Sequence, residues 1–410
     1  MIKWGLLCVF LLVAGNFPLT AKSLSTSDYL KLEEKDKQKL IQKYIKLDKD
    51  GTSKVNLRFY ELFSNCDSEA TIETAVKMDE FYEKFSRIFK GSFKNRKKPQ
   101  LFCLADKASY SRVISDYTQG YVNAGWSAGM FISIGTKGAL FADFSVGSEV
   151  QETLFHEGTH QLMSSYTGGA KIPVWLDEGI ATNFESWEIQ RSAIQNLHRT
   201  AFDSGRRYGL FQQYNETSEL PLDELLNMTS KEWSESTKPG PNYSMSWLMV
   251  NTLLLSDSGK KLINAWMTGF RKKTTLDKML SSKSKAVLKT MITNHYRKFL
   301  LPLHKVCLPA VEQKPDYASF IKALESYTGG EKNEHPILTY YRVTLNPDLS
   351  IKEKLSQLSK LERESVQHPN LFGEMARLCF EAQDKFKGIR YQKLAMREDP
   401  LNDSLVNLQE

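Results

Sequence analysis

Long apolar runs are nearly missing from this 410-residue chain. The one that stands out, Trp4–Val13, is too short to span a bilayer, and nothing near the ~20 apolar residues of a membrane helix recurs downstream. Lys3 before it and the small-residue exit Leu19-Thr20-Ala21 after it give residues 1–21 the form of a secretory signal peptide. The expectation is an exported protein, periplasmic or extracellular, with no transmembrane anchor after cleavage. Cysteine is scarce as well: beyond Cys8 there are only Cys66, Cys103, Cys307 and Cys379, without CxxC spacing, which excludes a zinc finger. Two disulfides, with three connectivities open, and unpaired buried thiols both fit an oxidising compartment.

No strong charge bias exists either. Removal of residues 1–21 takes away only Lys3, so the formal charge falls from +7 to +6. The densest cations, Lys90, Lys94 and Arg96–Lys98, have only Phe93 among them, whereas single-stranded nucleic acid needs interleaved aromatics to stack on. They read as a solvated loop, and no nucleic-acid partner is expected. A phosphate loop is missing too, because Gly135-Thr136-Lys137-Gly138 lacks the Gly-x-x-x-x-Gly-Lys-Ser/Thr pattern and reads as a turn. The composition that remains, 41% hydrophobic and 25% charged, is that of a soluble globular protein.

The pattern along the chain is mixed. Residues 22–54 read as an N-terminal helical segment, Val55–Phe63 alternates like a half-buried strand, and Asp67 opens a long amphipathic helix to about Lys90. A strand at Gln100–Ala105, a short helix from Ser109 and a hairpin of Gly129–Ile134 with Ala139–Phe144 follow. Ser148 and Gln151 fit a capping box for a helix that Gly168-Gly169 stops, and a further helix follows Pro173. Strands and helices intermingled over 55–305 indicate one α+β domain. A linker is expected at 306–334 and a helical region at 335–410. Within it Ala376, Gly388, Ala395 and Pro400 suit one tetratricopeptide-like unit, and an ordinary helical hairpin equally; either offers a dock for a protein partner.

Histidine is rare, with 7 in the chain, yet two of them lie in His156-Glu157-Gly158-Thr159-His160. Positions i and i+4 share a helix face, so both imidazoles can converge on one ion, while Glu157, turned by about 100°, can reach a water beside it. The next helix carries Trp175-Leu176-Asp177-Glu178-Gly179-Ile180-Ala181, where Glu178 can supply a third ligand and leave the fourth position open. Two His and one carboxylate suit a single zinc ion in a hydrolase.

These two segments, HEGTHQLM and PVWLDEGIATNFE, preceded by a strand such as Phe59–Asn65 and a long helix, resemble the gluzincin zinc peptidases, and most closely the exported bacterial peptidase-MA-like domains. The resemblance spans roughly Val55 to Leu303. It implies a zincin, thermolysin-like catalytic domain with a mixed upper and a helical lower subdomain, His156, His160 and Glu178 as metal ligands, and Glu157 as general base. In such enzymes zinc lowers the pKa of its bound water towards about 7, and the base moves the proton to the leaving amine. Glu185, seven residues past Glu178, matches a carboxylate that orients a liganding His; a surface glutamate is the alternative. An oxyanion donor is implied from the lower subdomain. His198, His295, His304, His335 and His368 lack matching context, so Tyr243, on a stripe with Trp247, Val250 and Leu254, is the candidate, against a core tyrosine.

Gly129, Met130, Phe131 and Ile132 stand where zincins keep the strand that pairs with an extended peptide. The aminopeptidase segment G-x-M-E-N is absent, since Phe131 and Ile132 fill those places, which favours endopeptidase action on a peptide or protein substrate. A rival reading is a catalytically silent zincin-fold protein that binds peptide or assembles through its helical tail. A purely structural zinc site is disfavoured by the open fourth position. A covering role for the segment before Val55 is a further expectation.

Overall fold

The computed structural model describes residues 25–398 apart from 48–51, 57, 90–97, 126, 135–136, 188–208, 212, 215–216, 238, 255–256, 302–335 and 364–370. The expected leader, the 306–334 linker, Cys307, Pro400 and four of the histidines (His198, His304, His335 and His368) lie outside these residues.

Helices α1 (Thr26–Leu30) and α2 (Glu34–Tyr44) open the described chain, but the segment does not stay helical. It continues as β1 (Ile45–Leu47) and β2 (Ser53–Asn56), whose apolar alternation lets them join a sheet. Tyr29 and Leu40 are buried in the same core as that sheet, and the Thr26 N–H donates to Glu80 at 2.7 Å. The described residues before Val55 therefore pack with this core, as two helices and two strands.

The single strand expected over Val55–Phe63 is two, β2 and β3 (Glu61–Ser64), antiparallel to each other. A turn divides them because Asp79, on α3 (Ser68–Ile88), accepts the N–H groups of Arg58 at 2.6 Å, Phe59 at 2.8 Å and Tyr60 at 3.0 Å. Three donors that a continuous strand would give to a neighbour are thus satisfied by one carboxylate. Burial raises the Asp79 pKa above its usual value, against the opposing pull of these hydrogen bonds.

The sheet has the order β1-β2-β3-β4-β6-β5, with β4 (Gln100–Leu104), β5 (Gly129–Ile134) and β6 (Lys137–Asp143). β3, β4 and β6 run parallel, and β5 closes the far edge by the expected hairpin with β6. One face, with Leu101, Cys103, Leu140 and Ala142, packs in the core that contains Phe81 and Phe85 of α3. The other, with Ile132, Ala139 and Phe141, lies against Tyr110 and Ile114 of α4 (Lys107–Thr118). Asp106 caps α4, so this helix starts two residues before the expected Ser109.

Downstream the chain is helical: α5 (Val150–Thr167), α6 (Val174–Glu185), α7 (Leu222–Asn227), α8 (Ser230–Ser234), α9 (Pro239–Leu254), α10 (Asp257–Arg271), α11 (Leu276–Met279) and α12 (Ser282–His295). The expected capping box does not open α5. Its N-cap is Glu149 without a side-chain cap bond, because a 3-10 turn over Phe144–Glu149, held by Asp143 accepting from the Ser145 N–H, feeds directly into the helix. Its end is as expected, with Gly168 left-handed at φ 73°.

The C-terminal region has its own core. Helices α13 (Pro336–Leu345), α14 (Ile351–Arg363), α15 (Leu371–Glu381) and α16 (Lys385–Glu398) gather Val343, Leu358, Leu361, Met375 and Leu378, and Ala376 and Ala395 are buried as their small size allows. The architecture is mixed, compatible with an α+β body followed by a helical region. Cys66, Cys103 and Cys379 are free thiols, and no helix among the described residues is long and apolar enough to cross a membrane.

Candidate metal centre

Helix α5 presents His156 and His160 on one face, as their spacing demands. Its opposite side is buried on α3 and the sheet, where a Cβ on Gly158 would come 3.0 Å from Met78 Cε and 3.9 Å from Leu140 Cδ2. The fit is close, though the tightest neighbour is the end of a flexible side chain. Helix α6 then crosses α5 and brings Glu178 to the histidine pair. It can do so because α6 lies unusually close to α9: a Cβ on Gly179 would sit 2.4 Å from the Ser246 carbonyl oxygen and 2.6 Å from Val250 Cγ2. Asn183 Nδ2 donates across that interface to Trp247 O at 3.1 Å, and Asn251 Nδ2 donates to Asn183 Oδ1 at 2.9 Å.

The three donor atoms converge. His156 Nε2 and His160 Nε2 are 3.3 Å apart, and Glu178 Oε2 lies 3.4 Å from the first and 3.6 Å from the second. Tetrahedral coordination at the usual Zn–N and Zn–O bond lengths of about 2.0–2.1 Å puts neighbouring donors roughly 3.3 Å apart, so the spacing fits such an ion. Among the described residues, His156, His160 and Glu178 form a group that could hold a metal, with donor atoms all within 4.8 Å of one another.

The ring nitrogens turned away from this centre are occupied. Glu185 Oε2 lies 3.1 Å from His156 Nδ1, and Asp177 Oδ1 lies 3.3 Å from His160 Nδ1. The Glu185 hydrogen bond favours the His156 tautomer that leaves Nε2 free to ligate, and Asp177 sets a carboxylate charge beside His160 Nδ1. Asp177 was not anticipated; its signal is its place directly before Glu178, one helix step from the ligand. Burial opposes the imidazolium of both histidines, but the acidic groups prevail: Glu178 and Glu185 raise His156, and Asp177 with Glu178 raises His160 well above the usual value. Burial likewise opposes ionised Glu178, and its close contacts with the two histidines overcome it, lowering its pKa to about 2. The centre is therefore arranged to stabilise positive charge between these groups. The His156, Glu178 and Glu185 side chains are 13–17% exposed, so solvent reaches them.

Glu157 reaches the sheet edge, where its Oε2 accepts the Phe131 N–H at 2.8 Å. Edge strand β5 thus lies beside the centre with Gly129, Met130, Phe131 and Ile132 along it. Tyr243, in the first turns of α9, is also near: its ring centroid is 6.4 Å from that of His156 and 5.0 Å from that of Trp233 on α8.

Residues 151–276 match the model of a family described as "Protein of unknown function (DUF1570)". The matched segment contains His156, Glu157, His160, Asp177, Glu178, Glu185 and Tyr243, and leaves out the whole sheet. No curated protein and no solved structure matches the chain.

Proposed function

We propose that this protein is an exported zinc metallopeptidase of gluzincin type, acting as an endopeptidase on peptide or protein substrates. The observation that carries the reading is the donor triangle of His156, His160 and Glu178, with Glu157 one residue from a ligand. A bound zinc ion would supply a Lewis acid that polarises the scissile carbonyl and makes an attacking water acidic near neutral pH. Glu157 would take that water's proton and pass it to the departing amine. The Tyr243 hydroxyl would donate to the oxyanion as the carbonyl becomes tetrahedral. The free edge of β5 would hold an extended chain by strand addition. Asp177 and Glu185 would keep both imidazoles in register throughout.

The six-stranded sheet before α5 and the helices after it support the two-part catalytic domain of that superfamily. The N-terminal leader supports export, and the C-terminal helices offer a surface for a protein partner. The test is mass-spectrometric profiling of a diverse peptide library with the mature protein beside Glu157→Gln, zinc content being measured in both. Cleavage by the wild type that disappears in Glu157→Gln, with zinc retained, is the expected result. Equal zinc and no cleavage in either would point instead to a silent peptide-binding zincin fold.

A further inference from the structure

The free edge of β5 contains one backbone group that is not free. The Asp143 N–H bonds the Ala128 carbonyl at 2.9 Å, which makes 128 and 143 a hydrogen-bonded pair of the antiparallel ladder. With the register Met130↔Phe141 and Ile132↔Ala139, alternation then directs the N–H and C=O groups of Gly129, Phe131 and Ser133 away from β6. Such groups on an edge strand ordinarily face water or an added strand. The Phe131 N–H faces Glu157 instead, donating to Oε2 at 2.8 Å.

That contact is built into the packing. A Cβ on Gly129 would fall 2.2 Å from Thr153 Cγ2 of α5, 3.1 Å from the Phe141 carbonyl oxygen and 3.7 Å from Glu157 Cγ, so only glycine lets β5 ride this close to the helix. The start of the strand is pinned as well: Lys107 Nζ donates to the Ser127 carbonyl, and the Tyr110 and Ser127 hydroxyls bond at 2.8 Å. Donor and acceptor thus sit on two rigid elements held at a fixed separation.

We infer that the Phe131 main-chain N–H is the positioning donor for Glu157. With Oε2 anchored on the strand, the carboxylate has one orientation and Oε1 is the oxygen left to receive a proton. The same bond withdraws this N–H from strand addition, so an incoming chain pairs with the carbonyls of Gly129 and Phe131 and the N–H of Ser133. The catalytic consequence rests on the peptidase reading; the contact itself does not.

Two arms test it on the full zinc-loaded protein. In the first, amide hydrogen exchange is followed residue by residue by NMR. The Phe131 amide should exchange at least ten times more slowly than that of Ser133, which points outward from the same strand. It should lose that protection in Glu157→Ala while the ladder amides of Met130 and Ile132 keep theirs. In the second, Phe131→Pro removes the donor without removing a ladder bond, since proline is tolerated where an edge-strand N–H points outward. Its kcat should fall about 10- to 100-fold, as expected for a misplaced reacting group, with KM and zinc content within about twofold of wild type. Phe131→Leu, which alters the ring yet keeps the N–H, should show its change in KM. Wild-type exchange at Phe131 as fast as at Ser133, or an undiminished kcat in Phe131→Pro, overturns the inference. If Phe131→Pro does not fold, the exchange arm decides alone. A wild type that cleaves nothing refutes the peptidase reading, and the exchange arm then still decides whether the strand holds Glu157.

Discussion

Gly179→Ala is the substitution whose effect the packing defines most sharply. An added Cβ would lie 2.4 Å from the Ser246 oxygen and 2.6 Å from Val250 Cγ2, against an ordinary contact of 3.4–4 Å, so α6 must lift from α9 by about 1 Å. Overpacking of this kind costs about 1–3 kcal/mol. The two buried asparagine bonds across the interface, at 3.1 and 2.9 Å, would stretch beyond useful length, for about 1 kcal/mol each. Alanine returns about 1 kcal/mol of helix propensity. The net expectation is a loss of about 2–4 kcal/mol, a fall in Tm of roughly 5–15 °C. The neighbouring Glu178 moves with the helix, and a shift of about 1 Å exceeds the ~0.2 Å within which ligand distances are held. Zinc affinity should fall about 10- to 100-fold, the range seen when a ligand loses its support. Thermal unfolding with and without zinc, and competition against a chelator of known affinity, measure the two effects. Gly158→Ala is the control, since the one tight contact of its Cβ would be the flexible tip of Met78 at 3.0 Å, with Phe81 and Leu140 at ordinary contact distance, and its Tm should stay near that of wild type. The reasoning fails if Gly179→Ala matches wild type in both measurements, or if Gly158→Ala is the more damaging of the two.

Asp79→Ala should destabilise the fold by about 2–4 kcal/mol in chemical denaturation, because three N–H groups of the β2–β3 turn lose their acceptor. Asp79 has a folded pKa raised above its unfolded value, so its own contribution is complete below about pH 4 and diminishes as pH rises through the folded value. The stability difference between wild type and Asp79→Asn should shrink over that interval; a difference that widens would refute the sign. Asp177→Ala and Glu185→Ala should each weaken zinc binding about 10- to 100-fold in chelator competition, and Glu178→Ala should weaken it further. Tyr243→Phe should lower kcat about 100-fold with KM little changed, and a full rate in that variant would remove Tyr243 from the proposed chemistry.

The histidine pair and Glu178 were legible because a helix converts sequence spacing into direction: i and i+4 must share a face. Glu185 was legible for the same reason, seven residues on along α6. Asp177 was missed because an i, i+1 relation says nothing about which neighbour receives the side chain; that depended on how α6 crosses α5. The β2–β3 break was hidden because its cause, Asp79, lies 19 to 21 residues away from the turn it holds. The expected covering role of the N-terminal segment depended on sheet order, which local patterning does not encode. β1 and β2 occupy one edge of the sheet and β5 the other, and α1 and α2 pack beside α3, so described residues before Val55 sit across the sheet from the edge strand. The start of α5 lies past the expected Ser148 because a local pattern does not reveal the 3-10 turn that runs to Glu149, the N-cap.

The candidate centre is a joint between two parts of the chain that hold different halves of it. Every prospective ligand and its supporting carboxylate lies on α5 and α6, within residues 151–276, and their convergence depends on the close contact of α6 with α9 at Gly179. The orientation of Glu157 depends on β5, outside that segment, and on the close contact of β5 with α5 at Gly129. The two contacts involve different partners, α9 for the first and β5 for the second, so metal binding and proton transfer should be separable. Damage at the α6–α9 interface empties the donor triangle, whereas damage at the strand leaves the triangle intact and frees Glu157. On the proposed peptidase reading, the tight seat of β5 on α5, possible only with glycine at 129, is what holds the general base in place.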